Sequence, residues 1–371
     1  MKFKRLIKWA AGIILLVLVI WVFIAYWTST NDCERYNHAA ANPIKAIVKC
    51  EYGPPDALQL KEIEKPTPDD NQLLVRVHAA ALNPLDGHEL RGQLIVRLFG
   101  EGLRKPKESR VGVDYAGTVE AVGKNVTKFK PGDEVFGGRT GAFAQYVCVR
   151  ADRAVALKPE NVSFEQAGAV GVAGITALQG LRDKGHIQAG QKVLVNGASG
   201  GVGTFAVQIA KALGARVTGV CSTRNVDLVK SIGADRVIDY TKDDFTEENE
   251  RYDIIFDTVS NHSFSERRRL LTDNGICVMV GAGGAGAHEG FWSRLGGNMG
   301  AALRSKFTKQ KFVMFIAQFN QKDIETLGDL MQSGKLNPVI DRDYKSLADI
   351  PEALRYLEQG HARGKVVVTV E

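Results

Sequence analysis

Residues 193–203 read Val193-Leu194-Val195-Asn196-Gly197-Ala198-Ser199-Gly200-Gly201-Val202-Gly203, and the chain resumes as Thr204-Phe205-Ala206-Val207-Gln208-Ile209-Ala210-Lys211. A short apolar run breaks into small residues and then turns amphipathic, which predicts a strand, a tight turn and a helix. Gly200 and Gly203 fall where a dinucleotide-holding turn needs backbone without side chains. One lets a pyrophosphate approach, and the other lets the helix pack on the strand. Ala198 stands at the first glycine position of the usual G-x-G-x-x-G. A second strand expected at 215–220 completes the context, so Ala198, Ser199, Gly200, Gly201, Val202 and Gly203 form the expected cofactor cradle.

Working outward, strands expected at 193–196, 215–220, 236–239, 253–257 and 276–280 alternate with helices, which implies a parallel sheet covered on both faces. Upstream, residues 44–149 are short strands and turns. Residues 72–82 alternate apolar and polar, 113–122 are small and β-branched, and Pro131-Gly132-Asp133 opens a further strand. That pattern predicts a small β-barrel-like domain. Beyond Lys311 come helices at 323–332 and 350–358, a short extended piece at 338–341 and a last strand at 365–370, so the α/β nucleotide domain reads as inserted into the β-rich one. The expected divisions are an N-terminal membrane anchor over 1–30, a polar linker over 31–43, a β-rich catalytic domain over 44–165, a nucleotide domain over 166–312 and a return segment over 313–371.

With 371 residues and 44% hydrophobic content, the chain has enough material for two cores. Its net charge of +6 comes from 48 basic and 42 acidic residues mixed along the sequence, which does not argue for nucleic acid. Arg267-Arg268-Arg269 reads as a solvated helix face. Cys33, Cys50, Cys148, Cys221 and Cys277 show no C-x-x-C pair, so free thiols in a reducing compartment are expected. Residues 9–27, bounded by Trp9 and Trp27, are uncharged and long enough to cross most of a bilayer, with Trp21 and Tyr26 also placed as interfacial aromatics. The run exceeds a usual signal h-region and no small-x-small site follows it, so a single uncleaved transmembrane helix is expected. Lys2, Lys4, Arg5 and Lys8 precede it, which by charge would export the domains that follow. A dissociable dinucleotide argues the other way, and a cytoplasm-facing domain is expected.

Six landmarks in order resemble the medium-chain dehydrogenase/reductase superfamily, in its zinc-free quinone oxidoreductase branch. They are Asn83-Pro84-Leu85-Asp86, Gly112-Val113-Asp114-Tyr115-Ala116-Gly117, Pro131-Gly132-Asp133-Glu134-Val135-Phe136-Gly137, Gly174-Ile175-Thr176-Ala177-Leu178, the turn from Ala198 to Gly203, and Gly360-His361-Ala362-Arg363-Gly364-Lys365-Val366. The resemblance covers residues 44–371 and implies a GroES-like catalytic domain with a Rossmann domain. It extends the cofactor-binding expectation to Thr176, Val259, Gly281 and Arg363, and it allows a homodimer.

Zinc-dependent relatives take metal ligands from a C-x-[ST]-D-x-H string and from G-H-E. Here Asn83 stands in the cysteine place and Val113 in the histidine place, and neither side chain replaces a soft donor on zinc. The four-cysteine structural lobe is absent, and Gly87-His88-Glu89 is out of register with the ligand string, so no metal is expected. Hydrogen-bond donors must then meet the charge that develops on the substrate oxygen. Asn83 and His88 are the candidates, with Asp86 holding the loop. The competing reading makes Asn83 a turn-forming Asn-Pro residue and His88 a surface histidine.

Cofactor choice is read at the end of the second Rossmann strand, where enzymes that use NAD place a carboxylate. Cys221 occupies that place, followed by Ser222, Thr223 and Arg224, two hydroxyls and a guanidinium suited to a 2′-phosphate. Tyr240 aligns with a tyrosine that reaches the adenosine phosphate in related quinone reductases. NADPH is the expected cofactor, and the expected reaction is hydride transfer to a quinone or an α,β-unsaturated carbonyl. Reduction of simple aldehydes or ketones and a non-catalytic NADPH-binding membrane scaffold are the alternatives. The acceptor pocket is expected in loops at 94–107 and 291–319.

Overall fold

The computed structural model describes residues 33–93, 97, 102–280 and 291–370, together with Val17, Ile20, Phe23, Tyr26 and Trp27. The first half is built from β1 (Pro43–Lys49), β2 (Leu58–Glu64), β3 (Gln72–Leu82), α1 (Pro84–Leu90), β4 (Asp114–Val122), β5 (Glu134–Gly138), β6 (Tyr146–Arg150) and β7 (Val155–Leu157). Two helices, α2 (Phe164–Gly168) and α3 (Gly171–Gln179), lead into the nucleotide domain. There β8 (Lys192–Asn196), α4 (Gly201–Ala212), β9 (Arg216–Cys221), α5 (Val226–Ser231), β10 (Arg236–Asp239), β11 (Tyr252–Asp257), α6 (Phe264–Arg269), β12 (Leu271–Met279), α7 (Phe291–Arg304) and β13 (Lys311–Met314) alternate. The chain closes with α8 (Gln321–Gln332), β14 (Ile340–Tyr344), α9 (Ile350–Glu358) and β15 (Lys365–Thr369).

β8 is buried on both faces, as a continuous apolar run in a parallel sheet must be. Its sheet runs β10-β9-β8-β11-β12-β13, every pair parallel. Strand order reverses between β8 and β11, which opens a crevice at their carboxyl ends. The other sheet, β14-β15-β3-β4-β5-β7 with β6 on β3, takes its two outer strands from the chain's end. Val366 to Thr369 of β15 pair antiparallel with Leu82 to Ala79 of β3, so the last strand is laid directly beside Asn83. One core joins α3, α4, α8 and the nucleotide sheet, and another fills the β-rich domain around Tyr115, Leu82 and Leu354.

The stretch 291–319 expected as loop contains α7 and β13 instead. Its helix buries Asn298 and Ala301 among longer exposed side chains, a pattern that sparse hydrophobicity concealed.

The N-terminal expectations are corrected. Val17, Ile20, Phe23, Tyr26 and Trp27 are helical and exposed, and the rest of the 9–27 run lies outside the described residues. Among the described residues no helix is long and apolar enough to cross a membrane, which overturns the membrane-anchored, cytoplasm-facing assignment. The linker is not free either. Residues Cys33–Asn37 form a 3-10 turn, Tyr36 and Ser109 share a hydroxyl hydrogen bond of 2.8 Å, and Glu64 accepts from the Ala41 and Asn42 amides. Cys33 is joined to Cys50 in a disulfide across a Cα–Cα distance of 5.7 Å. The expectation of five free thiols fails because the fold, not local spacing, brings the pair together, and only Cys148, Cys221 and Cys277 are free. Alkylation of the denatured protein without reductant should label three cysteines, and after reduction five; five in both cases would remove the bridge.

Candidate active site

At the crevice, Gly197 has φ +85° and its amide donates to the Val220 carbonyl, so the chain leaves β8 in a conformation open to glycine. A Cβ on Gly203 would lie 2.0 Å from the Gly197 carbonyl oxygen, whereas one on Gly200 would meet nothing closer than 3.5 Å. Gly203 therefore serves helix packing, whereas a side chain at Gly200 would make only an ordinary contact with the turn. No side chain caps α4, so its first N–H groups and the positive end of the helix dipole are left for another partner. Those features fit a pyrophosphate. Ala198 is buried under the turn, and the Gly364 amide donates to the Ser199 carbonyl at 2.9 Å, fastening the cradle to β15.

The catalytic-domain wall holds a buried charge network. Lys365 Nζ donates to Asn83 Oδ1 at 2.6 Å, to the Leu82 carbonyl at 3.1 Å and to Asp114 Oδ2 at 3.2 Å. Asn83 Nδ2 donates to Asp114 Oδ2 at 3.0 Å and to the Ala81 carbonyl at 3.4 Å, while Asp114 Oδ1 accepts the Val172 amide at 2.7 Å. Lys365, Asp114 and Asn83 are each at most 3% exposed. The donor role expected of Asn83 is thereby corrected: both hydrogens of its amide are consumed inside the wall. Asp86 accepts the Asn83 amide at 2.7 Å and holds the start of α1, and burial pushes its carboxyl up to about 8. His88 is half-buried, with Nδ1 2.9 Å from Gln93 Nε2. Val113 is half-buried, and among the described residues no three His, Cys, Asp or Glu side chains gather as metal ligands.

At the far corner, Cys221 ends β9 buried, its thiol pushed up to about 11 by burial. Ser222 Oγ accepts from Asn225 Nδ2 at 3.2 Å, which leaves its own hydrogen to donate. Thr223 differs from the expectation because its hydroxyl donates to Asp239 Oδ2 at 2.6 Å and is spent there. The hydroxyls of Thr223 and Thr241 hold the Asp239 carboxyl down at about 2. Asp239, the acidic residue at this corner, escaped sequence reading because it ends the neighbouring strand. Arg224 Nη2 donates to the His361 carbonyl at 2.7 Å, spanning the two domains. Tyr240 is exposed, its amide donating to the Cys221 carbonyl at 3.0 Å.

Elsewhere, Thr176 Oγ1 donates back to the Val172 carbonyl within α3, Val202 is half-buried at the head of α4, and Arg363 is exposed just before Gly364. Val259 follows β11 with its amide on Asp257 Oδ1 at 3.1 Å. Gly281 lies outside the described residues. The structure thus brings the glycine turn, the 222–224 corner, Val259 and the Asn83 wall around one crevice.

A glycine-turn crevice between a β-rich domain and a six-stranded parallel sheet defines a two-domain nicotinamide oxidoreductase. Comparisons with known proteins agree. The family described as alcohol dehydrogenase GroES-like domain matches residues 69–160, and that described as zinc-binding dehydrogenase matches 232–368. The chain is 33% identical over 339 residues to the 2-methylene-furan-3-one reductase of Solanum lycopersicum, and 32% identical to the chloroplastic NADPH-dependent alkenal/one oxidoreductase of Arabidopsis thaliana. Each alignment covers 88% of this chain and 79% of the relative. The solved quinone oxidoreductase of Coxiella burnetii superposes with a TM-score of 0.77 at 30% identity, over 89% of this chain and all of that one. The chain belongs to the medium-chain dehydrogenase/reductase superfamily, in its zinc-free quinone oxidoreductase-like branch, and is an oxidoreductase.

Breaking a buried ion pair from one side leaves an unpaired charge. Lys365→Met should therefore lower the unfolding free energy by about 3–5 kcal/mol in urea titrations, and adding Asp114→Asn should restore most of the loss. A single variant as stable as the parent would show the pair to be dispensable.

Proposed function

We propose that this chain uses NADPH, without a metal, to reduce a quinone or an α,β-unsaturated carbonyl. The observation that carries the cofactor choice is the end of β9, where a buried neutral thiol replaces a ribose-binding carboxylate and an Arg224 guanidinium lies exposed at the same corner. Ser222 retains a hydroxyl hydrogen for a phosphate oxygen, and the Asp239 carboxylate is engaged by the hydroxyls of Thr223 and Thr241. The names of the relatives support the acceptor class: an alkenal/one oxidoreductase and a furanone reductase act on enones, and the structural relative is a quinone oxidoreductase.

When bound, NADPH supplies the hydride. The residues of this chain do the rest: the α4 N-terminus and Gly200 seat the pyrophosphate, Arg224 and Ser222 hold the 2′-phosphate, and the Asn83 wall shapes the acceptor side without donating to it. His88, its ring steadied by Gln93, supplies or relays the proton that accompanies reduction. His88→Gln should lower kcat by about a hundredfold while leaving KM for NADPH unchanged, as expected of a general acid. An unchanged kcat would assign the proton to solvent.

Replacing Arg224 by Ala removes a charge-assisted contact of about 1.5–3 kcal/mol, which is about ten- to a hundredfold in affinity. Because NADH lacks the 2′-phosphate, its kcat/KM should hardly change. Equal losses with both cofactors would reduce Arg224 to its contact with His361, and a parent enzyme that prefers NADH would overturn the cofactor assignment.

A further inference from the structure

Of the three consecutive arginines in the last turn of α6, Arg268 and Arg269 face solvent as expected, but Arg267 is only 4% exposed. Its Nη1 donates to Asp257 Oδ2 at 3.1 Å and to Asn298 Oδ1 of α7 at 3.2 Å. Asp257 is the last residue of β11, and its other oxygen, Oδ1, accepts from Asn196 Nδ2 at 2.9 Å, the Val259 amide at 3.1 Å and the Ser260 amide at 2.9 Å. Asn298 is buried and returns the link, donating from Nδ2 to Ser260 Oγ at 2.9 Å. Arg267, Asp257, Ser260 and Asn298 therefore close a ring that ties α6, the end of β11, the following turn and α7 together.

That ring holds an unfavourable backbone. Ser260 has φ +57°, left-handed for a residue with a side chain, and it stays there because its amide and its hydroxyl are both held. The carboxylate that holds it is buried, and Arg267 is its counter-charge. Remove the guanidinium and the Asp257 charge is left uncompensated in the interior, so the 257–260 turn loses the group that sets its shape. Arg294 adds a bond from Nη1 to the Val259 carbonyl at 3.4 Å, so α7 grips the same turn twice.

We infer that Arg267 is a positioning residue for the nicotinamide half of the cofactor, acting through Asp257 and Asn298 on the turn that presents Val259. The inference rests on the cofactor placement proposed above: with the 2′-phosphate at the end of β9 and the pyrophosphate at the end of β8, the nicotinamide half continues past β8 to the end of β11. Its locality follows from sheet order: β9, which carries the 2′-phosphate corner, and β11, which carries this ring, lie on opposite sides of β8. A loss at Arg267 should be felt at one end of the cofactor only.

The test uses the full chain and three readouts: calorimetric affinity for 2′-phospho-ADP-ribose, which lacks nicotinamide; kcat with its isotope effect from 4-deuterated NADPH; and amide hydrogen exchange in the cofactor-free protein. For Arg267→Met, kcat should fall about ten- to a hundredfold, as for a small misplacement of reacting groups, and the isotope effect should rise. Affinity for the fragment should stay within about twofold, as for distant independent sites. Exchange should quicken at Val259 and Ser260 but not in β8 or β9. Arg267→Lys should recover part of kcat, and Asn298→Ala, which spares the Asp257 pair, should shift the readouts in the same direction by less. Fragment affinity falling in step with kcat, or exchange quickening across the whole sheet, would make Arg267 a general stabiliser and overturn the inference, as would an unchanged kcat. If Arg267→Met does not fold, Asn298→Ala alone decides by the same criteria. A parent protein that fails to bind the fragment overturns the cofactor reading itself, a result distinct from the others.

Discussion

A lysine ammonium with almost no access to water must be surrounded by acceptors, and Lys365 meets that demand from three directions. Asn83 and Leu82 come from the end of β3, and Asp114 from the start of β4. Asp114 in turn takes the Val172 amide at the head of α3, so one buried charge fixes the seam where the β-rich domain passes into the nucleotide domain. The residue before it, Gly364, has φ +85° and places its amide on Ser199 in the glycine turn. A Cβ there would press within 2.3 Å of the Val339 carbonyl oxygen, so this contact also excludes other side chains. The two walls of the crevice are thus set relative to each other by two adjacent residues, Gly364 and the first residue of β15.

That arrangement changes what the vacated zinc position can do. With Asn83 in place of a cysteine, the amide is turned into the wall between a carboxylate and an ammonium, and it stabilises the wall rather than the substrate. In the function proposed above, charge that develops on an acceptor is met by groups at the crevice surface, with His88 of α1 as the proton donor. A quinone or enone suits such a site because its conjugation spreads the incoming charge away from a single oxygen, which lowers the demand for a Lewis acid.

Much of this fold was legible because its signals are local. The strand-turn-helix at 193–211, the β-rich texture before Val149 and the return of the last strand all follow from periodicity within a few residues, and the observed strands lie within one or two positions of most expected ones. β12 is the exception: it starts at Leu271 rather than near Ile276, because Thr272, Asp273 and Asn274 carry no strand signal and pair only through their neighbours. The misread side chains share one cause. Cys33 meets Cys50, Asp239 meets Thr223 and Lys365 meets Asp114 only after folding, and no spacing rule encodes those meetings. Arg267 was misread for the same reason: three arginines at a helix end look alike in sequence, and only the packing of α7 tells which one is buried.

The two sides of the crevice solve the same problem in the same way. Asp114 accepts from a backbone amide, from the Asn83 side chain and from the Lys365 ammonium; Asp257 accepts from two backbone amides, from the Asn196 side chain and from the Arg267 guanidinium. In each case a buried carboxylate draws together segments distant in sequence, an asparagine amide bridges them, and a cation balances the charge. Such networks are costly when half-satisfied and rigid when complete. A rigid frame on both sides leaves little reorganisation for the moment of reaction, which is where electrostatic catalysis gains most. The carboxylates of this enzyme therefore contribute by shaping the walls between which a cofactor and an acceptor are held, and the chemistry at the surface depends on charges that never reach it.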